Sequence, residues 1–266
     1  MVHEDLPKGN YEERYFAFVD ILGFQGLIEQ LKRGDTQFKT LWHLLKRIHT
    51  PPQFDPNPFL GSGFRAQSIS DAVAISTAVN ANGLMHMFAA IETMATALLA
   101  EGYFIRGAIV KGPLYHDEST VFGEALVKAY LLERDVVRYP RVMIVREVVE
   151  DLQRYAREND KVWAMNYALQ ADDGPAFLNV LRYASEQVNE SIEKSTLLDP
   201  LMNDVMRHYG DIRNQIQYRF MASSDNPRHF EKVQWFARYW NKQIRSCQAL
   251  PRITGPGLSP EPAFWG

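Results

Sequence analysis

The chain reads as an α+β fold, a ferredoxin-like α/β sandwich with an antiparallel-rich sheet followed by a C-terminal helical extension. Three observations predict it. Apolar runs rich in aromatic and β-branched residues alternate with segments of helical periodicity, in the order strand, helix, two strands, helix, strand. From about Ala176 the sequence becomes mostly helical in character. With 266 residues, 46% hydrophobic and 23% charged, the chain can bury one sizeable core and still carry an extension.

Each element has its own signal. "YFAFVDI" (15–21) is a buried strand of aromatic and β-branched residues. "FQGLIEQLKR" places Phe24, Leu27, Ile28 and Leu31 at helical spacing, and "TQFKTLWHLLKRIH" repeats this with Phe38, Leu41, Leu45 and Ile48. The prolines of "PPQFDPNPF" end that helix in a stiff loop. "FRAQSISDAVAIS" reads as two antiparallel strands joined tightly at Ser70 and Asp71. A long helix at "LMHMFAAIETMATALLAEG" closes on Gly102 as its C-cap. "YFIRGAIVKG" is a strand ending at Gly112 and Pro113, "FGEALVKAYLLER" a helix and "YPRVMIV" a strand. The helical extension follows, through "AFLNVLRYASEQVNESIEK", "LMNDVMRHYGDIRNQIQYRFM" and "FEKVQWFARYWNKQI", before the Pro- and Gly-rich tail "LPRITGPGLSPEPAFWG". The expected organisation is a main α+β domain over 12–174, a helical extension over 175–248 and an irregular tail over 249–266.

Composition excludes several classes of function. A net charge of −3 supplies no global basic field for nucleic acid or anionic membranes. The single cysteine, Cys247, forms no internal disulfide and fits a reducing compartment. The polar N-terminus is unlike a signal peptide, and no apolar run approaches the roughly 20 residues of a bilayer span. The expectation is a soluble, cytoplasmic protein. His86 and His116 lack acidic or histidine partners at metal-ligand spacing, and both read as surface or loop residues. The Trp and Tyr of "QWFARYWN" read as core or interface contacts.

The functional signal is a pair of acidic residues. Asp20 ends an apolar strand just before Gly23, and Asp71 sits in a hairpin turn. The fold order places the first strand centrally, beside the strand that enters the hairpin, and so brings both carboxylates to one edge. There they repel unless a cation lies between them, and Mg²⁺ or Mn²⁺, hard ions that take oxygen ligands and substrate phosphates, fit that need. The turn "ILGFQG", with the backbone N–H groups of Leu22, Gly23 and Phe24 at a helix entrance, suits a polyphosphate. Helix capping by Asp20 and turn formation by Asp71 are the structural alternatives; the two residues together in this fold order favour the metal site.

"FVDILGF" resembles the first metal-binding motif of class III nucleotidyl cyclases, and "QSISDAVAIS" their hairpin-borne second motif. "IRGAIVKGPL" and "VFGEALVKAYLLE" are similar to the strand, loop and helix that complete that domain. With "YPRVMI" and the late "EKVQWFARYWN", the set looks most like the pyrimidine cyclases of bacterial anti-phage (Pycsar) systems. The resemblance implies two-metal conversion of UTP, or alternatively CTP, to its 3′,5′-cyclic monophosphate and diphosphate, the product acting on a downstream cyclic-nucleotide-activated effector. It implies Asp20 and Asp71 as metal ligands, with the Ile21 carbonyl as a further one, for two Mn²⁺ or Mg²⁺ ions per site. It also implies a homodimer, in which Asp20 and Arg106 could serve one site from different chains.

Departures from the purine members shape the substrate expectation. The two positions that pair with a purine base hold Gln67 and Thr120, neutral groups that both donate and accept. The asparagine and arginine that support the transition state align with Val127 and Leu131. Arg65, Arg106, Lys111 and Tyr130 lie on motif segments and are the candidates to replace them. Arg106 stands out because a charge inside the apolar strand "FIRGAIV" needs a partner; Tyr130 fits packing as well as catalysis. A nucleotide-sensing module that kept the fold and lost turnover is the competing expectation.

Overall fold

The computed structural model describes residues 10–34, 38–39, 42–43, 46, 60–159, 161–194, 200–244 and 249–258. Most of the expected second helix, the proline-rich loop after it, Cys247 and the end of the tail lie outside these residues.

The first six elements are β1 (Glu12–Ile21), α1 (Phe24–Arg33), β2 (Arg65–Ile69), β3 (Ala72–Ala78), α2 (Ala81–Leu99) and β4 (Ile105–His116). There follow β5 (Val121–Phe122), α3 (Glu124–Asp135), β6 (Val142–Ile144), α4 (Arg146–Glu158), a 3-10 turn at Val162–Tyr167, β7 (Ala168–Gln170) and β8 (Ala176–Leu178). The sheet order is β2-β3-β1-β4-β6-β8-β7, with β5 pairing on β4. Every pairing is antiparallel except β4 with β6. The fold is therefore mixed α+β, and β1 is central as expected. Its hairpin neighbour is β3, the strand that leaves Asp71, while β2, which enters the turn, forms the sheet edge.

Both faces of the sheet are covered, where the sequence reading placed helices on one face. On one face Phe16, Phe18, Ala72, Ala74, Val110 and Leu114 pack with Ala125 and Ala129 of α3. On the other the Tyr15 hydroxyl donates to Asp151 of α4 at 2.8 Å. Arg14 through Val19 are buried without interruption, as a strand sandwiched between two apolar layers requires.

Three further differences have physical reasons. β4 runs through Pro113 to His116 rather than ending there; β6 pairs only at 107–109 and β5 only at 115–116, so the missing N–H of Pro113 faces an unpaired edge. Ala176–Leu178, read as the start of the helical extension, is a sheet strand, because a three-residue strand is too short to show alternation. His116 is buried, accepting or donating at Ser76 Oγ (2.8 Å), and burial pushes its imidazole down to about 4. His86 lies in α2, half-buried and stacked on Phe64.

The chain divides into two compact units. The first holds the sheet, as 1–94, 105–137 and 141–178; the second holds 95–104, 138–140 and 179–266. The second contains α5 (Arg182–Lys194), α6 (Pro200–Ala222) and α7 (Pro227–Gln243). Asn226 caps α7 by accepting from His229 N–H, and the fully buried Trp240 anchors it. The irregular segment 250–258 is tied down by side chains, Asn241 exchanging two hydrogen bonds with Ile253 and Gln217 two with Thr254.

Candidate active site

The site grows from the register of three strands. Asp20 lies directly opposite Ala72 on β3 and opposite Arg106 on β4. Asp71 occupies the β2–β3 turn, preceded by Ser70 in the left-handed conformation (φ 58°). The turn is thus one residue beyond the position facing Asp20, and the two carboxylates come within hydrogen-bonding reach. Gly107 permits the close approach of β4 to β1: a Cβ there would sit 2.4 Å from the Phe18 carbonyl oxygen.

Burial, the adjacent Asp71 charge and then Glu133 push the Asp20 carboxyl up to about 7, against the opposing pull of Arg106. Its Oδ1 is buried and has no hydrogen-bond partner among the described residues. Arg106 Nη2 stands 3.8 Å from Asp20 Oδ2 and makes a short ion pair with Glu133. Glu133 is itself buried on α3, and desolvation raises its proton affinity. Arg106 and Asp20 thus belong to one chain's site, contrary to the expectation that they serve one site from different chains.

Sequence reasoning missed Glu133, although a signal was present. Ala125, Ala129 and Glu133 form the buried stripe of α3 at four-residue spacing, and an acid on such a stripe needs a cation, as Arg106 in its apolar strand needed an anion.

After β1, Leu22 forms the turn and Gly23 takes φ 87°, so the chain reverses into α1, which begins at Phe24 with no side chain capping its N-terminus. The Gly26 N–H bonds back to the Gly23 carbonyl at 3.0 Å, which leaves those of Phe24 and Gln25 as the helix-entrance donors. Gln67 and Thr120 are brought together: Gln67 Nε2 donates to the Ser119 carbonyl at 2.8 Å, and Gln67 Oε1 is buried without a partner. The Ser119–Thr120 turn is held by Asp117, which accepts from both backbone N–H groups and from the Tyr115 hydroxyl; these bonds hold its carboxyl down at about 2.

Two candidates stand elsewhere. Lys111 lies on the opposite face of the sheet from Arg106, by strand alternation, and pairs with Asp151 at 3.0 Å. It lines a surface cavity of about 760 Å³ with Tyr11, Gly123, Val127, Lys128 and Leu131, none of them a carboxylate-site residue. Tyr130 packs edge-on against Phe18, with the Arg134 guanidinium over its ring. Val127 and Leu131 are exposed on α3.

Two carboxylates, one with a buried unpartnered oxygen, and a neighbouring strand-end carbonyl form an all-oxygen donor set that fits Mg²⁺ or Mn²⁺. Among the described residues no three His, Cys, Asp or Glu side chains gather as a metal cage. No helix among them is long and apolar enough to cross a membrane.

No protein-family model matches the chain, and no curated protein does. Similar solved structures include the monomeric guanylyl cyclase domain of the RhoGC fusion protein from the aquatic fungus Blastocladiella emersonii, with 14% identity and a TM-score of 0.44 over 64% of this chain and 95% of that one. Another is a bacterial light-regulated adenylyl cyclase, with 18% identity and a TM-score of 0.36 over 52% of this chain and 44% of that one. Both of those proteins are nucleotidyl cyclases.

Proposed function

We propose that this protein is a nucleotidyl cyclase that converts a pyrimidine nucleoside triphosphate to its 3′,5′-cyclic monophosphate and diphosphate. The observation that carries the reading is the Asp20–Asp71 pair, with its buried unpartnered oxygen. In the reaction the ribose 3′-oxygen attacks the α-phosphorus, the bond to the β-phosphate oxygen breaks, and the 3′-hydroxyl proton is lost. Two Mn²⁺ or Mg²⁺ ions held by Asp20, Asp71 and the Ile21 carbonyl would supply activation of the attacking oxygen and neutralisation of the leaving charge. The turn at Leu22, Gly23 and Phe24 offers backbone N–H groups to the phosphates. Arg106 offers a guanidinium to the same anion.

Gln67 and Thr120 are the proposed base-reading groups. With Nε2 engaged by Ser119, Gln67 has an acceptor left over, which suits N3–H of uracil or the N4 amine of cytosine rather than O4 of uracil. UTP is the substrate we propose, on the likeness of the motifs to the pyrimidine cyclases, and CTP is the second reading, which the same free acceptor fits equally well. The setting is a cytoplasmic anti-phage pathway in which the cyclic nucleotide activates an effector, and the working form is a homodimer.

The test is incubation of purified protein with each nucleoside triphosphate and Mn²⁺, measuring diphosphate and cyclic product. Cyclic UMP as main product, abolished in Asp20→Ala and Asp71→Ala, is the expected result. Cyclic CMP would replace only the base assignment. Predominant cyclic AMP would refute the Gln67 and Thr120 reading. Nucleotide binding without any diphosphate would establish the sensing module instead.

A further inference from the structure

Glu133 closes the segment "VFGEALVKAYLLE" and meets the guanidinium of Arg106, the cation that stands beside Asp20. The Arg106 guanidinium has two anions within reach, and it divides between them unequally. It makes a short ion pair with Glu133 but stands 3.8 Å from Asp20. Glu133 is 4% exposed, so the Arg106–Glu133 pair is sheltered from competition by water. On the Asp20 side, Oδ2 faces the guanidinium and Oδ1 has no hydrogen-bond partner among the described residues.

We propose that Glu133 is a positioning residue: by holding the Arg106 guanidinium on α3, it keeps Asp20 open to a divalent cation and aims Arg106 at the polyphosphate end of the substrate. The physical reason is competition. A guanidinium in a half-buried strand pairs with whatever carboxylate is nearest, because an unpaired buried charge is costly. Without Glu133, the nearest remaining carboxylate is Asp20. Arg106 would then close on it and neutralise the group that the incoming ion needs. α3 is suited to this task because Ala125 and Ala129 seat it closely on the sheet. The next position along that buried stripe carries the carboxylate to the edge where Asp20 and Arg106 face each other.

This inference rests on the metal site of the proposed cyclase, so its test reads ion binding directly and needs no turnover. Mn²⁺ is titrated into the nucleotide-free full-length chain and the free ion is followed by electron paramagnetic resonance. The variants are Asp20→Ala, Glu133→Gln, Glu133→Asp and the double variant Glu133→Gln/Arg106→Met, each checked for native circular dichroism. Binding by the wild type that Asp20→Ala abolishes is expected. Glu133→Gln is expected to weaken binding about tenfold, the worth of a charge-assisted contact of modest strength. Glu133→Asp keeps the charge but is one methylene shorter, and should also weaken binding if position is what matters. The double variant should recover to within about threefold of wild type, since the competing guanidinium is gone.

Unchanged binding in Glu133→Gln would overturn the proposal while leaving the metal site intact. So would full binding in Glu133→Asp, which would reduce Glu133 to a distant charge. A double variant as weak as Glu133→Gln would remove the competition account. Absence of any Asp20-dependent Mn²⁺ binding would instead overturn the metal site itself, and this inference with it.

Discussion

Replacing Asp20 by asparagine should stabilise the metal-free protein, and by an amount that depends on pH. In the folded chain the Asp20 carboxyl keeps its proton up to about pH 7, against an ordinary value of 3.8. A group held more tightly protonated in the native state contributes stability that is full below about pH 4 and is lost as pH rises to about 7. Three pH units at about 1.4 kcal/mol each set an upper bound of about 4 kcal/mol for the cost of the ionised carboxylate at pH 8. The isosteric asparagine carries no such charge. Its advantage over the wild type should therefore be small near pH 4.5, grow through pH 6 and level off above pH 7.5, at about 2–4 kcal/mol. Urea unfolding of both proteins in EDTA at these pH values measures the difference, and comparison of the two cancels the contribution of Asp117, which lies apart from Asp20. Added Mn²⁺ should stabilise the wild type by mass action and leave the variant unmoved. A stability difference independent of pH, or an asparagine variant weaker than wild type at pH 8, would refute the reasoning.

Other expectations concern separate parts of the first compact unit. Tyr15→Phe removes a buried donor to Asp151 and should lower unfolding free energy by about 1–2 kcal/mol, read by urea denaturation, without changing Mn²⁺ affinity. Gly107→Ala would force a methyl group against the Phe18 carbonyl; loss of both thermal stability and cyclase activity is expected, and a fully active variant would contradict the close approach of β4 to β1. Gln67→Glu removes the amide donor to the Ser119 carbonyl and sets a charged acceptor against it; cyclic product from an equimolar UTP and CTP mixture should fall for both bases, measured by mass spectrometry, and unchanged product would refute a base-reading role for Gln67. Mixing Asp20→Ala with Arg106→Ala protein should recover no activity, because the two side chains are neighbours within one chain.

Much of this was legible in the sequence, for identifiable reasons. β1 announced itself because burial on both faces demands an unbroken apolar run, and the hairpin did so through the polar Ser70 and Asp71 between an alternating strand and an apolar one. Asp20 was conspicuous as the polar residue that ends such a run. Glu133 and the true surroundings of Lys111 were not legible in the same way. Which acid a lysine meets depends on the face its strand presents, and Asp151 is 40 residues away on a helix that sequence reading left undescribed. His116 misled because its neighbours Asp117, Glu118 and Ser119 are turn formers, while the histidine itself is the last inward residue of β4. The short strands β7 and β8 carry three residues each, too few to reveal a period.

The turn anchored by Asp117 has a consequence for how this sequence can drift. Gln67 grips a backbone carbonyl, that of Ser119, and backbone is common to all residues. Position 119 can therefore change with little effect on that contact, losing the hydroxyl's bonds to Asp117 and Thr120. Asp117 has no such freedom, because it receives two backbone N–H groups and the Tyr115 hydroxyl at once. In a large library of variants selected for product, tolerance should be broad at 119 and narrow at 117, although 117 touches neither ion nor nucleotide in the proposed site. A position that mutational surveys would file as a remote loop aspartate is then the one that fixes where the glutamine proposed to read the base can look.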